Sequence, residues 1–418
     1  MSGSKTSKAF IIFFLVLFFF AVPYVSRAQA ADWSWFFKGG NFNLNDISNN
    51  NASPAVAASD ESNGIFLVVW MKQGTNGFDI YGARVDQKGV NLEVNGEFAI
   101  CTAINDQVFP SVSWNGETFL VVWQDGRSGI RSDIFGARVT LQGIVLDPNG
   151  FQIFVGVKNL NQALPAVSFD GTNHLVVWQG RKSGNANNIF FARVTAEGTV
   201  IDSSPVPVAS SSTDQSYPAV DFDGSNYLVV WSEKINNSNW GIMGARVTPQ
   251  GDVLDADPVQ FNSITPSGKI RKLILSWNGE SHLVGWMVSF KIGRWSLYGK
   301  RVGPNLEILD LTDINIESDG FKKAYLYPAI AWDGSDYLLV WEELDGGRFF
   351  GISGASVNTE GQSIEISGPV LVSFSEETTH SSYPALATIG ETALVVWDGN
   401  ALPNGYLQVF GQILSKTK

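Results

Sequence analysis

Three acids stand at one repeated distance in this chain. Asp125, Glu233 and Glu343 each lie two residues past a tryptophan, at Trp123, Trp231 and Trp341. Paired carboxylates about 5–10 Å apart are what hydrolysis of a glycosidic bond requires, one as acid and one as base or nucleophile. Asp345 belongs to the same neighbourhood, and Glu342 and Asp398 lie beside it. Arg127, Trp240, Arg294, Trp295 and Arg348 occupy comparable segments, as does His380 in "EETTHSSYP". Aromatics set among acids, amides and arginines equally suit the holding of a sugar or peptide, with an apolar platform and a few oriented polar groups. Gln107, Gln162 and Gln215 form a further series, each three residues before a proline. They are candidates for the mouth of a central channel, or for satisfying backbone groups in the turn they follow.

No catalytic residue is singled out by this inventory. His174 and His282 stand four residues before a tryptophan, where other copies of the same string carry Phe119, Tyr227 and Tyr337. They read as packing residues, so three histidines leave no metal constellation. No nucleophile elbow, phosphate loop or metalloprotease helix motif occurs, and no cofactor is implied. Asp-Gly pairs such as Asp170-Gly171 lack the alternating oxygen ligands of a calcium loop.

The elements that must carry these residues repeat. "SWNGETFLVVW" at Ser113–Trp123 returns as "SFDGTNHLVVW", "DFDGSNYLVVW", "SWNGESHLVGW" and "AWDGSDYLLVW". Trp70, Trp123, Trp178, Trp231, Trp286, Trp341 and Trp397 close seven copies, 53 to 56 residues apart. The units begin near Pro54, Pro110, Pro165, Pro218, Leu273, Pro328 and Pro384. A period of this size marks a propeller or solenoid. Each copy reads as four strands. Strand A starts at the proline, and an Asn-Gly or Asp-Gly dipeptide supplies the positive φ angles of a hairpin. Strand B is apolar on both faces, as expected of a sheet packed between two others. Strand C follows the pattern "DIYGARV", and strand D lies beyond a short turn. The prediction is an all-β, seven-bladed β-propeller of four-stranded antiparallel blades, forming one domain over residues 31–418.

The seventh copy reaches "YLQVFGQIL" without a strand D after it. "NFNLND" (Asn41–Asp46) precedes Pro54 as "EFAICT" (Glu97–Thr102) precedes Pro110, with Phe42 and Phe98 each twelve residues before their proline. The N-terminal strand is therefore predicted to complete the last blade and close the ring, which removes exposed strand edges. Arg84, Arg138, Arg193, Arg246 and Arg301 each have an acid nine residues on, at Glu93, Asp147, Asp202, Asp255 and Asp310. With a turn midway, these are predicted ion pairs across the C–D hairpin and part of the blade rather than a site.

The strings "P-A-V-x-F-D-G", "L-V-V-W" and "D-I-Y-G-A-R-V" resemble the TolB-type and WD40-like propeller repeats of secreted bacterial proteins. The resemblance spans nearly the whole repeat region and specifies architecture strongly, function hardly at all. No α/β domain accompanies the repeats, so a TolB-like transport role is not implied.

Residues 1–30 read as a secretory signal peptide: Lys5 and Lys8, an apolar run from Ala9 to Val22, then Ala28-Gln29-Ala30 as a cleavage site. Fourteen apolar residues are short for a membrane helix, so no span is expected after cleavage. Export follows, to periplasm, cell surface or medium. Cleavage removes three bases and no acids, which moves the net charge from −12 to −15. Such a surface repels nucleic acid and anionic membranes. Cys101 is the one cysteine, so no internal disulfide holds the fold and the core must do so.

A–B and C–D turns are short and alike, whereas B–C and D–A connections differ from copy to copy. In an up-and-down sheet the two variable classes emerge on one face, and binding sits on loops carried by a rigid scaffold. That face holds the candidates named above. The reading is a secreted, non-catalytic binding propeller for a glycan or a protein partner. The alternatives are a glycan-active hydrolase or lyase using loop carboxylates, and a surface-layer or envelope assembly component.

Overall fold

The structure is a computed structural model that describes residues 34–37, 41–45, 50–156, 160–181, 186–209, 211–236, 239–262, 269–291, 294–317, 323–345, 348–365, 378–401 and 406–417. The segment 1–30, predicted to be a signal peptide, lies outside the described residues. Every regular element among those described is a β-strand. Blade 1 pairs Asn51–Ala58, Ile65–Gln73, Phe78–Asp86 and Phe98–Cys101 in sequence order, as strands A to D. Blade 2 repeats this with Gln107–Trp114, Thr118–Asp125, Asp133–Thr140 and Phe151–Phe154. Blades 3 to 6 follow, with strand A at Gln162–Phe169, Gln215–Phe222, Lys269–Trp277 and Lys323–Trp332. Strand A of each blade contacts strand A of the next, and the series returns from blade 7 to blade 1. This is a closed seven-bladed β-propeller with strand A innermost.

Strand B explains why the blades stack. Phe66, Leu67, Val68, Val69 and Trp70 are all 0% exposed. Phe66, Val68 and Trp70 pack toward blade 7, while Leu67 and Val69 pack toward blade 2. Alternate residues of a strand face opposite sides, so a string apolar at every position feeds two cores at once. Each such side chain stabilises by about 1.5–3 kcal/mol. Seven clusters of this kind fill the seven blade-to-blade gaps.

The ring closes as the sequence predicts. Phe42–Asn43 pairs antiparallel with strand C of blade 7, Leu407–Thr417, setting Phe42 opposite Gly411. Phe98 lies opposite Gly82 in the same way in blade 1. A Cβ on Gly411 would sit 2.6 Å from the Phe42 ring, so glycine makes room for it. Leu44 is fully buried between blades 7 and 1. A second segment, Ser34–Phe37, pairs further along the same strand, which the repeat pattern gave no reason to expect.

The A–B hairpins of blades 2 and 3 leave two residues between a bonded pair, Asn115 N donating to Thr118 O at 3.1 Å and Asp170 N to Asn173 O at 3.0 Å. Only glycine takes a left-handed conformation, as at Gly116 (φ 97°) and Gly171 (φ 95°). The preceding residue acts through its side chain instead: Asn115 Oδ1 accepts from Glu117 N at 2.9 Å and Thr118 N at 2.7 Å. A short polar side chain that binds its own backbone substitutes for the second positive φ.

The predicted arginine pairs all form, from Arg84–Glu93 to Arg301–Asp310. The guanidinium also reaches the next blade: Arg84 donates to Leu141 O at 2.8 Å, and Arg246 to Asn305 Oδ1 at 3.2 Å. Arg84, Arg193, Arg246 and Arg301 therefore tie two blades together as well as two strands.

Candidate functional site

The carboxylates two past tryptophan face a buried demand. An indole N–H enclosed between blades needs an acceptor. Trp123 Nε1 donates to Asp125 Oδ2 at 2.8 Å, and Trp231 Nε1 to Glu233 Oε2 at 3.0 Å. In blades 1 and 3, where that position holds Lys72 and Gly180, strand A supplies the acceptor: Asn51 for Trp70 at 3.0 Å, and Gln162 for Trp178 at 2.8 Å. Asp125 is fully buried, so it is not an open group on the variable face. Its second oxygen receives Arg127 Nε at 2.8 Å, while the Arg127 guanidinium also donates to Asn149 O and lies 3.9 Å over the Phe135 ring. Glu233 additionally accepts from Gln215 Nε2 and Thr213 Oγ1. Glu343 is buried and accepts from Ser353 Oγ at 2.7 Å.

The glutamine series does not open on the channel. Gln107, Gln162 and Gln215 are at most 1% exposed. Gln107 Nε2 donates to the carbonyls of Ile104 and Asn105, Gln162 Nε2 to those of Leu160 and Arg181, and Gln215 Oε1 accepts from Ile189 N. These amides satisfy backbone groups of the connecting turns, which removes them from the channel mouth.

Trp240 and Trp295 begin strand C of blades 4 and 5, and both are half-buried. Trp240 packs on the core between those blades, and Arg271 lies over the Trp295 ring at 5.4 Å. Arg294, Asp345, Arg348 and His380 have described backbones but side chains outside the described set. Arg294 opposes Lys291 and Arg348 opposes Asp345 at the ends of tight B–C hairpins. His380 falls within strand A of blade 7, Thr378–Ile389, rather than in a loop, because strand B extends to Ala401 and provides a partner for Thr378. His174 and His282 are buried against Phe169 and Trp277, and burial lowers each pKa to about 3.

A different set converges on the axis. In every blade one residue of strand A is bulged into a left-handed conformation: Ser53 (φ 51°), Phe109 (54°), Leu164 (53°), Tyr217 (55°), Lys272 (45°), Tyr327 (48°) and Tyr383 (50°). The ladder register shifts at each of these points. Bulky non-glycine residues rarely adopt such angles, at a cost of order 1–3 kcal/mol each, and such strain gathers at functional sites. Since strand A is innermost, the seven form a ring at the axial mouth, on the face where strand A begins. Tyr327 and Tyr383 of adjacent blades stack with centroids 4.0 Å apart, and Tyr383 OH donates to Tyr327 OH at 3.1 Å. Phe109 and Tyr383 are 40% and 36% exposed, high for aromatics on a propeller's innermost strand.

The bulge turns a backbone N–H away from its own ladder, and the previous blade receives it. Gln179 Oε1 accepts from Tyr217 N at 3.0 Å, and Asp398 Oδ2 from Ser53 N at 2.9 Å. Glu342 accepts from Tyr383 N and from Ser382 Oγ. Gln179, Glu342 and Asp398 share one repeat position, one past tryptophan. Burial pushes the Glu342 carboxyl up to about 7, partly offset by its hydrogen bonds. Burial likewise pushes Asp398 to about 7, with Glu342 adding to the effect. Deeper along strand A of blade 4, Asp221 accepts from Phe222 N and Trp277 N, and burial raises it to about 6. Sequence reasoning missed the ring, although an aromatic directly before proline in four copies was a visible signal.

Elsewhere on the variable face, a polar depression of about 390 Å³ lies between blades 2 and 3, lined by Asn105, Asp106, Gln124, Ile130, Arg131 and Asn161. Arg131 is already paired with Asp133 at 2.9 Å. This depression carries no aromatic platform.

No family model matches the chain, and no curated protein is significantly similar to it. Among solved structures, a puromycin-hydrolyzing peptidase of Mycobacterium tuberculosis is 12% identical, with a TM-score of 0.53. The match covers 89% of this chain and 54% of the peptidase chain, so this chain spans about half of that protein. A Dyadobacter fermentans protein of unknown function is 13% identical over 92% of this chain and 100% of its own, with a TM-score of 0.49. A neuraminidase-like protein from A/bat/Guatemala is 10% identical over 91% of this chain and 93% of its own, at 0.46. At these identities the likeness is one of fold. Fold and site together define a seven-bladed β-propeller with a strained, aromatic axial mouth.

Proposed function

We propose that this is an exported binding propeller that holds a saccharide at its axial mouth. The observation that carries the reading is the stacked Tyr327–Tyr383 pair, set with Phe109 and Tyr217 around one opening on strained backbone. Sugar rings present apolar C–H faces that lie on aromatic platforms, while hydroxyls need a few oriented polar partners, which the tyrosine hydroxyls supply. A rigid seven-blade frame keeps the platform preorganised, which limits the ordering cost of binding. Export rests on the character of residues 1–30.

The test is a glycan array probed with residues 31–418 and with the Tyr327→Ala/Tyr383→Ala variant. Retention of a sugar by the parent chain that the variant loses supports the mouth as the site. Equal retention by both moves the site elsewhere. A folded parent that retains nothing overturns the saccharide reading.

A hydrolase reading is favoured by one observation, that Glu342 and Asp398 both stand near pH 7, where a carboxyl can act as acid or base. Against it, neutral Gln179 holds the Tyr217 bulge in the way these acids hold theirs. Turnover of a bound sugar that Glu342→Gln and Asp398→Asn abolish without loss of binding would establish the hydrolase.

A further inference from the structure

Six of the seven ring positions carry neutral side chains, namely serine, leucine, phenylalanine and three tyrosines. The seventh is Lys272 in blade 5. It departs from its equivalents in a second way, because Leu273 follows it where the other six copies have proline. Proline therefore does not impose the bulge here, and a lysine still occupies it at φ 45°.

Solvent reaches Lys272, yet protein surrounds it on the channel wall, and that crowding alone lowers its pKa. No carboxylate among the described residues is near enough to act on it. Arg271, next in the chain, is exposed and engages Trp295. The acids of the mouth are differently placed: Glu342 and Asp398 are each 1% exposed and bound to backbone N–H groups. The charge that an incoming ligand meets at the ring is thus positive, on a chain whose net charge is −12. A partly desolvated cation with no counter-charge favours a ligand that brings one, since hydrogen bonds to charged groups are stronger than neutral ones.

We propose that the saccharide is anionic, its carboxylate or sulfate group seated on Lys272 while a sugar ring lies on the Tyr327–Tyr383 platform of the two following blades. This rests on the reading of the mouth as a saccharide site and names the class of sugar. Arg271, one residue away, would extend contact to a second acidic unit of an oligomer.

The experiment is a calorimetric titration of residues 31–418 with three probes: oligogalacturonate, its carboxyl-reduced neutral counterpart, and a sulfated galactan oligomer. The expected result is that at least one acidic probe binds about tenfold or more tightly than the neutral one, a preference expected of one charge-assisted contact. Lys272→Gln should remove that preference, and Lys272→Arg should keep most of it. Comparison of the two acidic probes tells carboxylate from sulfate. Equal binding of acidic and neutral sugars, or a preference that survives Lys272→Gln, overturns the inference and leaves the saccharide reading standing. Failure of all three to bind a folded chain overturns both. Lys272 is solvent-exposed, and a matching melting temperature for Lys272→Gln would show that the variant is folded.

Discussion

The phenol rings of Tyr327 and Tyr383 stack 4.0 Å apart at 28°, joining blades 6 and 7 across the axial mouth. They are 56 residues apart in sequence and occupy the same place in successive repeats. Because the two rings form one surface, their contributions to binding should not add. Single alanine variants are expected to weaken sugar binding about three- to tenfold each, and the double variant by less than the product. A titration of all four proteins gives the coupling. Strict additivity would mean that the rings contact the ligand separately.

Glu342 and Asp398 tie stability to pH. Both carboxyls are raised to about 7 in the folded chain, above their ordinary values of 4.5 and 3.8. A carboxyl held protonated by the fold binds more protons folded than unfolded between about pH 4 and 7. Its stabilisation is present at low pH and is lost as pH rises through about 7. Unfolding free energy should thus fall over that window by an amount on the order of 3 kcal/mol or more for each carboxyl. Glu342→Gln and Asp398→Asn, which keep an acceptor for the bulge N–H, should flatten the fall and stabilise the chain at pH 8. Denaturant titrations at pH 5 and pH 8 measure it, and an unchanged slope in the double variant would assign the pH dependence to other groups.

The buried indoles predict an exchange of parts between blades. Gln162→Ala leaves Trp178 Nε1 without its acceptor and should cost about 1–3 kcal/mol. Gly180 stands where Asp125 serves Trp123, and a Cβ there would meet Gln162 Oε1 at 1.9 Å. Gly180→Asp should therefore be harmful alone and should recover stability when combined with Gln162→Ala. Thermal melts of the two singles and the double decide this. A double variant worse than either single would refute the exchange.

Leu44 tests the closure of the ring. It is fully buried between the first and last blades, next to the paired residues Phe42–Asn43. Leu44→Ala is expected to cost about 2–4 kcal/mol, as for a core leucine. A loss well below 1 kcal/mol in equilibrium unfolding would show that the N-terminal segment is not part of the cooperative unit.

Some misplaced candidates were readable after all. Residues two apart on a strand share a face, so an acid two past a buried tryptophan is set beside the indole before any fold is known. Asp125 and Glu233 follow that rule. The arginine–acid spacing was legible for the same reason, since a hairpin with its turn midway makes the two residues neighbours. Its reach to the next blade was not, because nothing in a single repeat says how blades are rotated against each other.

Sequence alone determined the ring. Seven tryptophans at a nearly constant period, each ending a strand apolar on both faces, leave stacking around an axis as the way to bury those faces. Phe42, standing before Pro54 as Phe98 stands before Pro110, determined how the ring closes. Only the tertiary structure decided where the mouth lies and what lines it. Ser53, Phe109, Leu164, Tyr217, Lys272, Tyr327 and Tyr383 are not of one residue type, and each is more than fifty residues from the next. They meet because ring closure brings seven bulges to one axis. The acceptors that hold three of those bulges stand on the preceding blade, outside the repeat they serve.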